Sequence, residues 1–287
     1  MKSRSLQSKL FFAYISLACL ILFSFAVFFY AFVSRQLKQS QISAMNTLNS
    51  SFQTQVDSAI RNLDAVSVNI NYSNQSKTIL DNSFNLNISS NMLSAMSDLF
   101  ISLSGTELKA DQVNLYDFSG YVLEAGISTI VKKTDGSKDE WIEVARELEG
   151  KKVLTPPYCT REYTKTATYD QWFISLYRSF NNQYKRGVGV IETAKQCKSV
   201  FKSIITYKKK NHEDAASIYV FDSNGDLIYP YDISQEYKAA LQPYYELTKG
   251  DDSASLLSVL LQEKQSMQQR PYPLIPAIPI LQFSRNL

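Results

Sequence analysis

The sequence of 287 residues has few glycines and prolines, 9 and 8 respectively, which excludes collagen-like and low-complexity chains. Its single histidine, His212, excludes histidine-based metal clusters and catalytic Ser-His or Cys-His pairs. No acidic residue occurs before Asp57, whereas Lys2, Arg4 and Lys9 lie near the N-terminus. These three basic residues account for the formal net charge of +3. The rest of the chain is neutral, so it gives no electrostatic footprint for DNA or RNA, and we expect no nucleic-acid partner.

An uncharged, strongly apolar run extends from Leu10 to Val33. A helix of this length measures about 36 Å, more than the roughly 30 Å hydrocarbon core of a bilayer requires. The basic residues that precede it favour a cytoplasmic N-terminus. A cleaved signal peptide is the alternative, but its apolar region is usually only about 7–15 residues long. The sequence therefore predicts an uncleaved, single-pass membrane anchor with the bulk of the chain outside the cytoplasm.

A long helix is predicted after the anchor, with no proline or glycine from Ser34 to Ser104. Apolar residues recur there at steps of three and four, at Met45, Leu48, Phe52, Val56, Ile60, Leu63, Val66 and Ile70. Such a stripe is typical of a helix packed along one side. We expect a stalk helix that lies along a domain or a partner subunit, and a second helical stretch over about residues 76–102.

Two similar strand-turn-strand segments follow, at residues 113–123 and 217–229. The second contains Asn224-Gly225, a strong hairpin signal because both residues tolerate a positive φ. Between the hairpins we predict a helix near 138–149, strands near 171–180 and 187–192, and a helix near 193–208. A repeated hairpin indicates two related modules.

Six residues between the hairpins combine aromatic surface with cationic donors, as small-molecule sites do: Trp141, Tyr158, Arg161, Trp172, Tyr177 and Arg178. The alternative is that the aromatic residues are core and the arginines lie on the surface. Strand alternation puts Arg178 on the same face as Trp172, so an inward Arg178 needs an anionic partner from the protein or from a ligand. Cys159 and Cys197 either pair in an oxidising compartment or stay as buried thiols.

The order of these features resembles the double Cache sensor region of bacterial receptors, particularly histidine kinases of the YesM type. The similar features are the anchor with its stalk, Leu115-Tyr-Asp-Phe-Ser-Gly120, Trp141 in a helix, Gly187-Val-Gly-Val-Ile-Glu-Thr193 and the hairpin at 217–229. The family usually has Asp where this chain has Glu192. Its amino-acid-binding version carries Tyr-(four residues)-Arg-x-Trp-Tyr, whereas this chain has Tyr158-Cys-Thr-Arg161, so the motif gives no support to an amino-acid ligand.

The resemblance implies an α+β fold: a transmembrane helix and stalk, then tandem PAS-like antiparallel-sheet modules, the second incomplete. The expected divisions are a cytoplasmic N-terminus (1–9), a transmembrane helix (10–33), a stalk and helical region (34–104), a membrane-distal module (105–192), a partial membrane-proximal module (193–264) and a proline-rich tail (265–287). The tail and the lack of a Gly-rich ATP loop lead us to expect a truncated or frame-shifted receptor.

The implied function is extracytoplasmic sensing of a small molecule by the input region of a two-component receptor. The resemblance also implies a ligand in the distal module and a homodimer through the stalk helix. We expect no catalytic residues, no metal and no cofactor in this chain. The alternatives are the sensor region of a chemoreceptor or cyclase, and a membrane-anchored structural or interaction protein.

Overall fold

The computed structural model describes residues 6–74, 76–77, 90–105, 108–118, 120–160, 171–181, 187–211, 218–222, 225–234, 237–239, 241, 245 and 280–282. The predicted site residue Arg161 lies outside these ranges, as do His212, most of the stretch 76–89 and the prolines of the tail. The chain divides into two compact units, Met1–Ser50 and Ser51–Leu287.

The helices are α1 (Leu6–Tyr72), α2 (Ser90–Ser104), α3 (Asp139–Glu147), α4 (Cys197–Val200) and α5 (Lys202–Asn211). The strands are β1 (Gln112–Asp117), β2 (Tyr121–Gly126), β3 (Ile130–Lys133), β4 (Lys152–Leu154), β5 (Tyr158–Thr160), β6 (Gln171–Asn181), β7 (Gly187–Gln196), β8 (Tyr219–Phe221), β9 (Leu227–Tyr229) and β10 (Ile280–Gln282).

The first unit consists of the part of α1 up to Ser50. In the described part of the chain, α1 is the one helix long and apolar enough to cross a membrane. The predicted span, residues 10–33, lies within it, and its large side chains, such as Phe23 and Tyr30, are exposed. The predicted helix is therefore confirmed, and its length and composition suit a bilayer.

A seven-stranded sheet forms the main body of the second unit. Its order is β3-β2-β1-β7-β6, and both β4 and β5 pair with the outer edge of β6. All of these pairings are antiparallel. The predicted helix near 193–208 is wrong in its first turn, because β7 continues to Gln196. Thr193 pairs with β6 and Ala194 pairs with β1, so hydrogen bonding from both sides keeps these residues extended.

The two faces of this sheet have different coverings. Residues directly opposite one another in neighbouring strands share a face. Asn114, Glu192 and Tyr177 are opposite one another and define what we call the Glu192 face, which α3 covers. Leu115, Ile191 and Arg178 define the reverse, which we call the α1 face.

Helix α1 packs on the α1 face from Phe52 onward. Six apolar residues of the predicted stripe are buried there: Phe52, Val56, Ile60, Leu63, Val66 and Ile70. The hydroxyl of Thr193 on β7 donates to the carbonyl oxygen of Leu63 at 3.2 Å. Of the two arrangements that the sequence left open, this part of the helix therefore adopts the first and lies along its own domain.

Both predicted hairpins are present, and in each an aspartate closes the turn. Asp117 Oδ1 accepts a hydrogen bond from the Tyr121 amide at 2.8 Å, and Asp222 Oδ1 accepts one from the Asp226 amide at 2.9 Å. The second turn needs Gly225, whose φ is +92°. Strand β10 adds to β8 in parallel, so the small second sheet is mixed rather than wholly antiparallel. The α+β class is confirmed.

Candidate functional site

The centre of the candidate site is Glu192, a fully buried carboxylate on the central strand β7. In the described part of the chain, four neutral side chains donate hydrogen bonds to it. Oε2 accepts from Asn114 Nδ2 at 2.7 Å and from the Tyr116 hydroxyl at 2.7 Å, and Oε1 accepts from the Ser175 hydroxyl at 2.6 Å and from the Tyr158 hydroxyl at 3.0 Å. Three strands besides β7 thus contribute donors, because these side chains share the Glu192 face.

Lys138, the residue before α3, reaches the same carboxylate. Its Nζ lies 3.2 Å from Glu192 Oε2 and 3.4 Å from Oε1. It also lies 5.9 Å from the centroid of the Tyr158 ring. The Lys138 side chain keeps 11% exposure, whereas Glu192 has none. A carboxylate and an aromatic face together form an environment that binds an ammonium group.

The electrostatics of this cluster keep Glu192 ionised. Burial by itself raises the pKa of Glu192, but the Lys138 ammonium and the hydrogen bonds from Ser175, Tyr116 and Asn114 outweigh it and lower the pKa to about 2. Burial also raises the pKa of Tyr177 well above its usual range, and the negative charge of Glu192 adds to this shift. The site therefore presents a buried negative charge beside neutral phenols.

A second buried carboxylate, Glu124 on β2, lies on the same face across β1. Its Oε1 is 2.9 Å from Lys132 Nζ, and its Oε2 is buried without a hydrogen-bond partner in the described part of the protein. Between the two carboxylates, Gln112 Nε2 donates to Asn114 Oδ1 at 2.9 Å. That bond directs the Asn114 amide nitrogen toward Glu192, so Gln112 acts as a positioning residue.

A cleft opens beside this cluster, between the sheet and the segment that leads into α3. It encloses about 230 Å³, including the part open to solvent. Its polar lining includes Tyr116, Lys132, Asp135, Lys138 and Asp139. Both charge signs and several hydrogen-bonding groups therefore face one small space, which suits a small polar molecule. Within the described residues, no group of three or more His, Cys, Asp or Glu side chains is arranged to hold a metal ion.

The predicted site residues divide between the two faces. Tyr158 contacts Glu192 directly, Tyr177 is buried on the Glu192 face, and Trp141 packs against the apolar cluster around Tyr177. Trp172 lies on the α1 face instead, 5.7 Å from the Tyr231 ring. Of the five predicted residues that the structure describes, three therefore lie together on the Glu192 face.

Arg178 has the anionic partner that the alternation argument required, and the partner belongs to the protein. Its guanidinium donates to Asp64 Oδ1 on α1, to the Gly150 carbonyl oxygen and, at 3.1 Å, to the Ser67 hydroxyl. Lys152 Nζ lies 2.9 Å from the other oxygen of Asp64. Because Arg178 and Trp172 contact elements on the α1 face, we leave both out of the candidate site.

No disulfide joins Cys159 and Cys197 in the described part of the chain; the first side chain is exposed and the second is buried. Cys159 on β5 is opposite Trp172 of β6. On the other side of β6, Gln196 of β7 is opposite Phe173, so the next residue, Cys197, lies level with Trp172. Two strand spacings put their Cα atoms about 9–10 Å apart, and a disulfide requires less than about 7 Å. Because β6 lies between β5 and β7, the two cysteines are too far apart to form a disulfide.

The sequence reasoning missed five residues of the cluster as site residues: Glu192, Lys138, Asn114, Tyr116 and Ser175. A signal existed for Glu192, since it follows Gly-Val-Gly-Val-Ile in an apolar strand, and a charge on the inner face of such a strand needs partners. Lys138 gave no such signal, because a lysine before a helix is ordinary surface sequence.

The solved structures similar to this chain include sensory domains of bacterial chemoreceptors. The sensory domain of the Campylobacter jejuni chemoreceptor Tlp3, solved with isoleucine bound, is 14% identical with a TM-score of 0.47; the match covers 72% of this chain and 81% of that one. The ligand-binding domain of the Pseudomonas aeruginosa amino acid chemoreceptor PctC, solved with GABA, is 12% identical with a TM-score of 0.43, covering 67% and 76%.

The extracellular domain of a protein described as a histidine kinase, vpHK1S-Z8, is 13% identical with a TM-score of 0.44, covering 57% of this chain and 60% of that one. At such identities and TM-scores the likeness locates no ligand in this chain. No protein-family model matches the chain. No curated protein sequence matches it either.

Proposed function

We propose that this protein senses a small polar molecule outside the cytoplasm, as the input region of a two-component receptor. The observation that carries the proposal is the polar cluster around Glu192. Within the described residues, five donors surround this buried carboxylate, and apolar residues of similar volume in the same place would cost less desolvation. Such an arrangement beside a polar cleft fits ligand binding better than it fits a structural core.

The charge distribution around the cleft supports a ligand with hydrogen-bonding groups. Lys132 and Lys138 supply cations to the lining of the cleft, and Asp135 and Asp139 supply carboxylates. A ligand that carries both donors and acceptors would satisfy groups that are otherwise paired only within the protein.

The proposed membrane topology, receptor type and dimer are inferred from helix α1 and from the sequence. The apolar run at residues 10–33 supports a single-pass membrane protein whose N-terminus is cytoplasmic. The pattern of motifs favours a kinase of the YesM type as the receptor, with no catalysis by this chain itself. If a homodimer forms through the part of α1 from Phe52 onward, it would have to use residues such as Ser58, Arg61 and Ala65, because the apolar stripe from Phe52 to Ile70 packs on its own sheet.

A thermal-shift screen on the full chain in detergent micelles tests this function. The compounds should include amino acids, which are named for several of the similar structures, together with carboxylic acids, amines and sugars. A true ligand at 100 times its Kd stabilises the native state by about 2.7 kcal/mol, which raises Tm by roughly 5–10 °C.

The variant Glu192→Gln tests whether the response depends on this carboxylate, and Glu143→Gln is its matched control. Glu143 is an exposed carboxylate on α3, so its variant should keep the full response, whereas the Glu192 variant should lose most of it. If no compound raises Tm, or if the shift survives unchanged in Glu192→Gln, the sensing function at this site is wrong and a structural or interaction role becomes the better explanation.

A further inference from the structure

Lys138 differs from the other groups that contact Glu192 in how it is held. The four neutral donors all project from strands of one sheet, and their distances to the carboxylate are 2.6–3.0 Å. Lys138 instead ends the segment that precedes α3, and its two nitrogen–oxygen distances, 3.2 and 3.4 Å, are the longest in the cluster. It also lines the cleft and retains some exposure.

We propose that Lys138 is a tethered competitor: its ammonium group occupies the position of a cationic group of the ligand, and binding requires Lys138 to leave Glu192. This inference rests on the proposed function and adds two things to it, a residue that sets the affinity and a ligand class that carries an ammonium group.

The hydrogen-bond inventory supports this exchange. A carboxylate offers about four lone-pair positions, and the four neutral donors among the described residues suffice to fill them. Lys138 therefore supplies chiefly the compensating positive charge and little directed hydrogen bonding. Another ammonium group placed between Glu192 and the Tyr158 ring would supply the same charge. Replacing one cation by another leaves no buried charge unpaired, so the exchange avoids the large penalty of emptying the site.

The position of Lys138 supports its release. Its four-carbon side chain is flexible, the residue lines the cleft, and its side chain keeps 11% exposure. Tyr116 both lines the cleft and donates a hydrogen bond to Glu192, so the cleft and the carboxylate are neighbours. Withdrawal of Lys138 would therefore open the carboxylate to the cleft beside the Tyr116 hydroxyl. Since a tethered group acts at an effective concentration in the millimolar range or above, Lys138 should weaken any competing ammonium ligand.

The experiment uses n-butylammonium, which matches the lysine side chain, as the probe. Binding to the full chain in detergent micelles is measured by titration calorimetry and by thermal shift, for the wild type and for Lys138→Ala. We expect saturable binding to the variant with an affinity at least about tenfold higher than to the wild type, because the tethered competitor is gone. Tetrabutylammonium, which is too large for the vacated position, should not bind.

Two further variants act as controls. Lys151→Ala removes an exposed lysine near β4 and should leave the wild-type affinity unchanged. Lys138→Ala combined with Glu192→Gln should abolish the gain, since the carboxylate that pairs with the probe is neutralised. If Lys138→Ala fails to fold, Lys138→Met keeps the stem over the Tyr158 ring while removing the charge, and a saturable gain is expected there too.

A folded Lys138 variant that binds n-butylammonium no better than the wild type overturns the inference, as does a gain that persists without Glu192. The two proposals can fail separately. If a library compound stabilises the wild type through Glu192 but Lys138 variants bind amines no better, only the competitor role fails. If neither the wild type nor the variants respond to any compound or to the probe, the sensing function itself fails.

Discussion

The two faces of the seven-stranded sheet each hold charged pairs, but the pairs differ in depth and in what surrounds them. On the Glu192 face the carboxylate is fully buried, and five donors from the described part of the chain contact it. On the α1 face, Asp64 keeps 25% exposure and pairs with Arg178 and Lys152, which keep 13% and 24%. The buried pair of the Glu192 face has a large desolvation cost, whereas the partly exposed pairs of the α1 face lie at the edge of an apolar interface.

We infer from this difference that the Glu192 face binds a ligand, whereas the ion pairs of the α1 face hold helix α1 on the sheet. On the α1 face, most of the stabilisation comes from the buried stripe of α1, at about 25 cal/mol for each Å² of apolar surface. The ion pairs there set where the helix lies along β6. On the Glu192 face the polar groups take positions that apolar side chains could fill more cheaply, which argues that their chemistry serves another purpose.

The largest expected effect comes from removing the central carboxylate. Glu192→Ala leaves Lys138 and four neutral donors without their acceptor, so we expect a loss of about 3–5 kcal/mol in the free energy of unfolding. Denaturant titration of the full chain in detergent measures it. Glu143→Ala on the exposed side of α3 is the matched control and should change stability by less than about 0.5 kcal/mol. Equal effects of the two substitutions would contradict the central role of Glu192.

The pH dependence should carry the second largest effect. The pKa of Glu192 is about 2 in the folded protein and near 4.5 in the unfolded chain, so the unfolded state binds the extra proton as the pH falls. The stabilisation is therefore complete above about pH 5 and is lost as the pH falls from about 4.5 toward 2. It amounts to an order of 3 kcal/mol.

Unfolding titrations at several pH values test this dependence. In Glu192→Gln the part of the acid sensitivity that belongs to this group should disappear, because an amide does not titrate. A variant that loses stability with acid as steeply as the wild type would show that the low pKa belongs to another carboxylate.

The sequence predicted the faces of β6 but not what each face contacts. Alternation is a geometric property of a strand, so Trp172 and Arg178 share a face as predicted. The partner of Arg178 is Asp64, 114 residues away, and Glu192 meets Asn114 and Lys138 from 78 and 54 residues away. Local patterns do not contain such distant pairings, so the site itself could not be assembled from the sequence.

The boundaries of helices and strands also depend on contacts between residues that are distant in the sequence. The α1 stripe and both hairpins follow from short-range periodicity and turn chemistry, and all three are present. Residues Thr193–Gln196 were predicted as the start of the helix near 193–208, but they extend β7. Their extended form depends on hydrogen bonds to two neighbouring strands, and tertiary pairing overrides local propensity in a central strand.

A smaller effect is expected from the α1 face. Asp64→Asn or Arg178→Met should cost about 1–2 kcal/mol, between the values for exposed and buried pairs, because both side chains retain some contact with water. A double-mutant cycle gives their coupling energy. Both variants should keep the ligand response found in the thermal-shift screen. Loss of that response in Arg178→Met but not in Asp64→Asn would restore Arg178 to the ligand site.

The smallest effect concerns the two cysteines beside Trp172. In a Cys19→Ala background, a maleimide should label Cys159 rapidly because it is exposed, whereas Cys197 should react only on unfolding. Burial removes Cys197 from the reagent and also raises the pKa of its thiol, which lowers the fraction of reactive thiolate. Cys159→Ser should change the free energy of unfolding by less than about 0.5 kcal/mol. A chain that carries no reactive thiol until it is reduced would instead establish the disulfide, and β5 would then have to lie nearer to α4 than the strand order allows.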